Sequence, residues 1–283
     1  MIRQKRVAAI HDISCFGKCS LTVALPIISA AGVEVSAIPT AVLSTHTGGF
    51  TGYTYRDLTS DIMPIAKHWK SLDLEFDALY SGFLGSFEQI DIMRGVFSNF
   101  KGESTSVIVD PVMADNGSLY TIFPKNFPEG MRTLCAMADI ITPNITEAVM
   151  MLGEEYREPP YTREYIDALL HRLADIGAPK IVLTGVCFNE DTLGSATYDA
   201  ESGSVSYAFN NKIDGYYHGT GDVYTSALVA AYLCGRTLED SARIAVDFTV
   251  GSIMRTKNAG TDIRFGVNFE AGLVDMVKDI QNA

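Results

Sequence analysis

Residues 218–235 read HGTGDVYTSALVAAYLCG. The run VYTSALVAAYL after Asp222 is apolar nearly all round, the pattern of a central helix buried on every side rather than a surface helix with one wet face. Just before it, Gly219 and Gly221 let the backbone come close to a ligand and point successive N–H groups at it. The helix start adds roughly half a positive charge aimed at whatever sits on that loop. Two readings are open. Gly219-Thr220-Gly221-Asp222 is an anion cradle with a carboxylate beside it, or a glycine turn in which Asp222 only supplies a helix-start charge.

Outward from this helix, short β-branched runs alternate with helical stretches. Strands are expected at Val7–Ile10, Val35–Pro39, Ala78–Ser81, Val107–Val109, Ile140–Thr142 and Ile181–Thr184. Helices are expected at Ser20–Ala31, Ser60–Leu72, Phe87–Asn99, Glu147–Leu152, Arg163–Ile176, Asp222–Leu233 and Leu238–Lys257. Tyr198–Phe209, interrupted at SGS, reads as an edge hairpin, and TGGFTGYT at 47–54 as a small flap. Buried strands separated by helices indicate βαβ units. The expected fold is therefore α/β, three layers in α/β/α order around a mostly parallel central sheet. No repeat, low-complexity block or linker breaks the chain, so residues 1–283 are expected to form one domain.

Composition narrows the function. With 47% hydrophobic and 20% charged residues, the chain can bury a large core. VALPIISAAGV is broken by Pro26 and ends at Glu34, too short a run for a membrane span. Val7–Ile10 is too short for a signal-peptide core, which points to the cytoplasm. A net charge of −12 with no basic cluster disfavours nucleic acid as a partner. A nucleotide would need positive potential from helix N-termini, a few basic groups or a metal ion. Five scattered cysteines read as free thiols, and Cys15 and Cys19 lack a second pair at zinc spacing. The sequon at Asn144 is read as chance.

Unusual polar residues follow one strand after another: His11-Asp12, Asp110, Thr142-Pro143-Asn144 and Thr184-Gly185. In a parallel sheet these are all C-terminal strand ends, the rim where open α/β sheets bind ligands. Each also has a plain structural reading. Asp110 before Pro111 can end a strand. Asn144 and Glu147 have the spacing of a helix cap and its third residue, and Asp12 can cap a turn through Ser14. The turn ISCFGKCS carries no G-x-G-x-x-G, and neither G-x-x-x-x-G-K-[ST] nor G-x-S-x-G occurs. A dinucleotide site, a P-loop and a hydrolase elbow are thereby unsupported.

GTGD before a buried helix, DPV at 110–112 and ITPNITE at 141–147 together resemble the ribokinase superfamily, in the order of its vitamin-kinase branch. LSTHTGG at 43–49 and YSGFLGS at 80–86 look like the pyridoxal kinases within it. The likeness runs from Ala8 to about Met254. It implies a ribokinase-like fold and ATP- and Mg²⁺-dependent phosphorylation of the 5′-hydroxymethyl group of pyridoxal, pyridoxine or pyridoxamine. A monovalent cation such as K⁺ and a homodimer are also implied. By resemblance, Asp222 is the base and Gly219, Thr220 and Gly221 form the anion hole. Asp110, Thr142 and Glu147 lie by the metal and phosphates, while Asp115, Asn144, Thr184 and Gly221 face ATP. Asp12, Thr47 and Phe83 face the vitamer. Asp12 stands where many pyridoxal kinases carry serine, and Phe83 where tyrosine is frequent; the acid at position 12 also looks like hydroxymethylpyrimidine kinases. The alternatives are a kinase of that pyrimidine or its phosphate, and a catalytically silent vitamer- or nucleotide-binding protein.

Overall fold

The computed structural model describes residues 3–283. Its strands are β1 (Arg6–Ser14), β2 (Glu34–Leu43), β3 (Tyr55–Asp57), β4 (Ala78–Ser81), β5 (Ser106–Val109), β6 (Ala114–Asp115), β7 (Ser118–Leu119), β8 (Ile140–Ile141), β9 (Lys180–Val186), β10 (Thr192–Asp199) and β11 (Ser204–Asn211). The helices are α1 (Leu21–Ala30), α2 (Thr59–Ser71), α3 (Phe87–Phe100), α4 (Phe127–Cys135), α5 (Ile145–Leu152), α6 (Arg163–Ala174), α7 (Thr220–Leu233), α8 (Leu238–Ala259) and α9 (Leu273–Asn282).

Among the described residues, nine strands form one sheet in the order β11-β10-β9-β8-β5-β4-β1-β2-β3. The six strands from β9 to β2 run parallel, and β10, β11 and β3 extend the sheet antiparallel. Side chains alternate between the two faces of each strand, so one strand feeds two cores. Ala8, Ile10, Leu79, Val107, Val109, Ile141 and Leu183 pack with residues of α2 to α6. Val7, Ala78, Tyr80, Ile108, Ile140 and Val182 pack on the other face with α1, α7 and α8. These are the three expected layers. Every α7 residue from Val223 to Ala231 is buried, as its all-round apolar sequence requires.

The parallel register puts the chemistry on one rim. Ile10 pairs with Ser81, Ser81 with Val109 and Val109 with Ile141. The next residues, His11 within β1 and Gly82, Asp110 and Thr142 just after β4, β5 and β8, therefore fall in one row along the C-terminal rim. The sheet face to which these residues point is the one that α7 covers, and the N-terminal turns of α7 open onto this row, with Thr225 hydrogen-bonded to Asp110.

Several expectations need correction. β1 does not end at Ile10. It continues through His11-Asp12 to Ser14, because Ile13 and Ser14 go on pairing with Val42 and Leu43 after a register irregularity. The edge hairpin begins at Thr192 rather than Tyr198, and its turn closes at Gly203, in the left-handed region at φ +70. Unforeseen elements are β3, the β6–β7 hairpin, α4 and α9. Residues 47–54 form the expected irregular flap between β2 and β3. Among the described residues, no helix is long and apolar enough to cross a membrane.

Candidate active site

The cradle is built by one glycine and kept open by another. Gly219 caps α7 in the left-handed region at φ +75. A Cβ there would lie 2.1 Å from the Lys18 carbonyl oxygen, so only glycine lets this turn dock on the β1–α1 turn. Thr220 holds the turn by donating its hydroxyl to the Tyr217 carbonyl at 3.2 Å. Around Gly221 a Cβ would meet nothing within 4 Å, and the residue is exposed. The N-terminus of α7 thus opens onto free space at Gly221, as an anion site requires.

Asp222 lies in the first turn of α7, and Thr225 and Ser226 follow on the same helical face. Thr225 Oγ1 donates to Asp110 Oδ2 at 3.0 Å and lies 3.4 Å from Thr142 Oγ1. Asp12 is buried and accepts from Ser14 Oγ at 3.3 Å. Four carboxylates now stand in a chain. Burial raises Asp12, with the Ser20 and Ser14 hydroxyls opposing it. Burial and then the Asp12 charge push Asp222 up to about 7, although its edge is partly open to solvent. Asp110 is raised by burial and by Asp222, and Glu147 by burial and by Asp110. Burial and mutual repulsion disfavour ionising all four together, which marks the row as built to meet positive charge.

The donors suit a hard divalent cation, because Asp110, Thr142 and Glu147 offer only oxygen. No group of three His, Cys, Asp or Glu side chains is gathered as a finished metal cage among the described residues. Mg²⁺ characteristically takes one or two carboxylates and completes its shell with water and substrate phosphates, so the residues fit it. Glu147 has a structural task as well. Its Oε1 accepts from the Met113 and Ala114 N–H groups at 3.0 and 3.4 Å, and its Oε2 from Asn144 N–H at 2.9 Å.

The other expected residues surround this centre. Asn144 Oδ1 caps Glu147 N–H at 2.9 Å in a full capping box, and its Nδ2 donates to the Ala114 carbonyl at 2.8 Å. Thr184 bridges to Asn144 across the sheet end. Asp115 accepts from Asn116 and from the Tyr216 hydroxyl at 2.9 Å, which ties the β6–β7 hairpin to the approach of the cradle. Phe83 is half-buried, its ring 5.8 Å from that of Phe123. Thr47 is exposed on the flap.

The histidines that fasten the flap went unread in the sequence. Gly48 N–H donates to His46 Nδ1 at 3.1 Å, so the proton sits on Nε2, which donates to the Arg264 carbonyl at 2.6 Å. The His46 ring is 5.1 Å from His218, and His218 is 4.9 Å from Tyr216. A Cβ on Gly48 would come 2.5 Å from His218 Nδ1, so the flap lies directly on the residue preceding the cradle. The HTG run was the available signal, and it pointed to Thr47 rather than to its neighbour.

A glycine-opened helix N-terminus facing carboxylates on the C-terminal rim of a parallel sheet defines a small-molecule kinase of ribokinase-like fold. The chain belongs to the phosphomethylpyrimidine kinase family, whose pattern it matches over residues 25–266. Pyridoxal kinase from Lactobacillus plantarum superposes with a TM-score of 0.88 at 30% identity, covering 98% of each chain. A protein from Bacteroides thetaiotaomicron described as a phosphomethylpyrimidine kinase, crystallised with pyridoxal, gives a TM-score of 0.92 at 35% identity. That match covers 97% of this chain and 96% of the other. Pyridoxal kinase from Arabidopsis thaliana is 27% identical over 265 residues, 89% of this chain and 83% of its own length.

Proposed function

We propose that the protein transfers the γ-phosphoryl group of ATP to the 5′-hydroxymethyl group of a B6 vitamer, as one kinase domain spanning residues 1–283. The observation that carries this reading is the open Gly221 turn at the start of α7 beside Asp222, a carboxylate pushed up to about 7. Asp222 accepts the proton of the vitamer alcohol as it attacks, and a base of that strength at neutral pH contributes roughly 10²–10⁴ in rate. The Gly219, Thr220 and Gly221 backbone receives the charge that spreads over the equatorial oxygens of the transferred group. Asn144, Thr184 and Asp115 border the ATP side, and Asp12, Thr47 and Phe83 the vitamer side. A divalent cation held by Asp110 and Thr142, with Glu147 reached through water, would neutralise the phosphate oxygens. Likeness to pyridoxal kinases extends the proposal to a homodimer in the cytoplasm.

A second reading has its own support. The family's name and the buried acid at Asp12 favour a hydroxymethylpyrimidine or its phosphate as the alcohol. Steady-state kinetics with pyridoxal, pyridoxine, pyridoxamine and hydroxymethylpyrimidine separates the two. We expect the largest kcat/KM for a B6 vitamer. A pyrimidine preferred over all three vitamers would overturn the choice, and absence of ATP turnover with every alcohol would leave a binding protein.

A further inference from the structure

Beneath the carboxylates lies a second polar group that the reaction as described does not use. His11, Gly82 and Asp110 are neighbours across β1, β4 and β5. A Cβ on Gly82 would come 2.1 Å from His11 Nδ1, so the imidazole lies over β4 in the space a side chain would fill. Tyr80, two residues before Gly82, faces the same side of the sheet. Its ring meets His11 edge-on at 4.3 Å and 77°. From α7, Ser226 comes down on the face that also carries Asp222 and Thr225.

His11, Tyr80 and Ser226 are each 0% exposed. Yet both His11 ring nitrogens, the Tyr80 hydroxyl and the Ser226 hydroxyl have no hydrogen-bond partner among the described residues. The Tyr80 hydroxyl is near those of Thr225 and Ser226 but reaches hydrogen-bond geometry with neither. Leaving four buried polar atoms unpaired would cost several kcal/mol, on the order of 1–3 for each, and native interiors avoid it. The missing partner must both donate and accept. Neutral imidazole offers one N–H and one lone pair, and each hydroxyl offers both functions. A metal cation could satisfy the lone pairs but would face the imidazole N–H. Water meets every group, and buried water of this kind bridges about three protein atoms. Burial holds His11 near pKa 3, so the imidazole stays neutral.

We propose that His11, Tyr80 and Ser226 enclose an ordered water cluster that hydrogen-bonds the inner faces of Asp110 and Asp222 and positions both carboxylates for phosphoryl transfer. Both acids lie close enough to act on the Tyr80 hydroxyl. Thr225 takes one acceptor position on Asp110 Oδ2, and a carboxylate with about four such positions keeps room for the water beside the proposed cation. Tyr80 and His11 are positioning residues, since both are fully buried and would act only through the water. The catalytic arm of the inference rests on the kinase reading above.

Tyr80→Phe removes a single oxygen without changing ring packing. A hydroxyl that holds a carboxylate through water should, on removal, lower kcat about tenfold, the equivalent of about 1.4 kcal/mol. KM for ATP and for the alcohol should stay within about twofold, because positioning for the chemical step is not uniform binding. High-resolution crystal structures of the unaltered chain and the variant should show water on Tyr80 Oη in the first and its displacement in the second. A truly unpaired hydroxyl behaves oppositely: its removal raises Tm and leaves kcat unchanged. That result, a dry pocket, or a loss carried in KM overturns the proposal. The crystallographic and melting measurements need no turnover, so they still decide the water site if the vitamer reading fails.

Discussion

At the scale of single residues, the proposed chemistry turns on Asp222, the acid of the row that lies in the first turn of α7 beside the open Gly221 turn. Its folded pKa is raised to about 7, by burial first and then by Asp12, so it is half-ionised near neutrality. In the proposed role of base it must be ionised, so kcat/KM should rise with pH through about 7 before levelling. Asp222→Asn keeps the shape and removes the proposed base. Turnover should fall by about 10²–10⁴ and lose that acidic limb, while calorimetry still records ATP binding. Near wild-type turnover in the variant would mean another group takes the proton. Glu147 teaches a different lesson. The capping reading and the phosphate-side reading of this residue are compatible, because a carboxylate has about four acceptor positions and three backbone N–H groups occupy part of them.

At the scale of elements, the two glycines of the cradle do different work and should separate by mutation. Gly219 joins α7 to the β1–α1 turn. Gly219→Ala places a Cβ against backbone, 2.1 Å from the Lys18 oxygen, at φ +75. The left-handed backbone alone costs about 1–2 kcal/mol, and the contact forces the two turns apart. Tm and activity should both fall. Gly221→Ala meets no atom of the protein, so Tm should hold while turnover drops, since the methyl occupies the space in front of the helix N–H groups. Equal losses of Tm in the two variants would show that the turn is scaffold and not cradle. The sequence announced this element because glycine spacing and an all-round apolar helix are local signals. α4 (FPEGMRTLC) was hidden by its early proline and glycine, which imitate a turn. β3 is three exposed residues with no alternation, and β6 and β7 are two residues each. His11 and Tyr80 lie 69 positions apart and meet only through sheet register, which no local pattern records.

At the scale of the whole molecule, the row of acids should make stability a function of pH and, if the proposed cation site holds, of divalent cation. Asp222 titrates near 3.8 when unfolded and about 7 when folded, and Asp110 moves in the same direction. The folded chain therefore binds these protons more tightly. Their contribution is complete below about 4 and is lost as pH rises through 7. His11 has the opposite sign: its folded value near 3 lies below the unfolded 6.5, so its contribution is present above 6.5 and fades as pH falls toward 3. Stability in the absence of metal should thus pass through a maximum on the acidic side of neutrality. A cation on Asp110 and Thr142, as proposed, would favour the ionised carboxylates and should restore what high pH removes. Thermal melts with and without Mg²⁺ at pH 6 and pH 8 test this. Mg²⁺ should raise Tm by a few degrees at pH 8, at about 2 °C per kcal/mol for a chain of this size, and by less at pH 6. Asp110→Asn should abolish the difference between the two pH values, which distinguishes a bound cation from general screening of the −12 net charge. An Mg²⁺ effect equal at both pH values, or unchanged in Asp110→Asn, would remove the metal from this rim. The acids would then have to be neutralised by the phosphates' own counterions or by protonation.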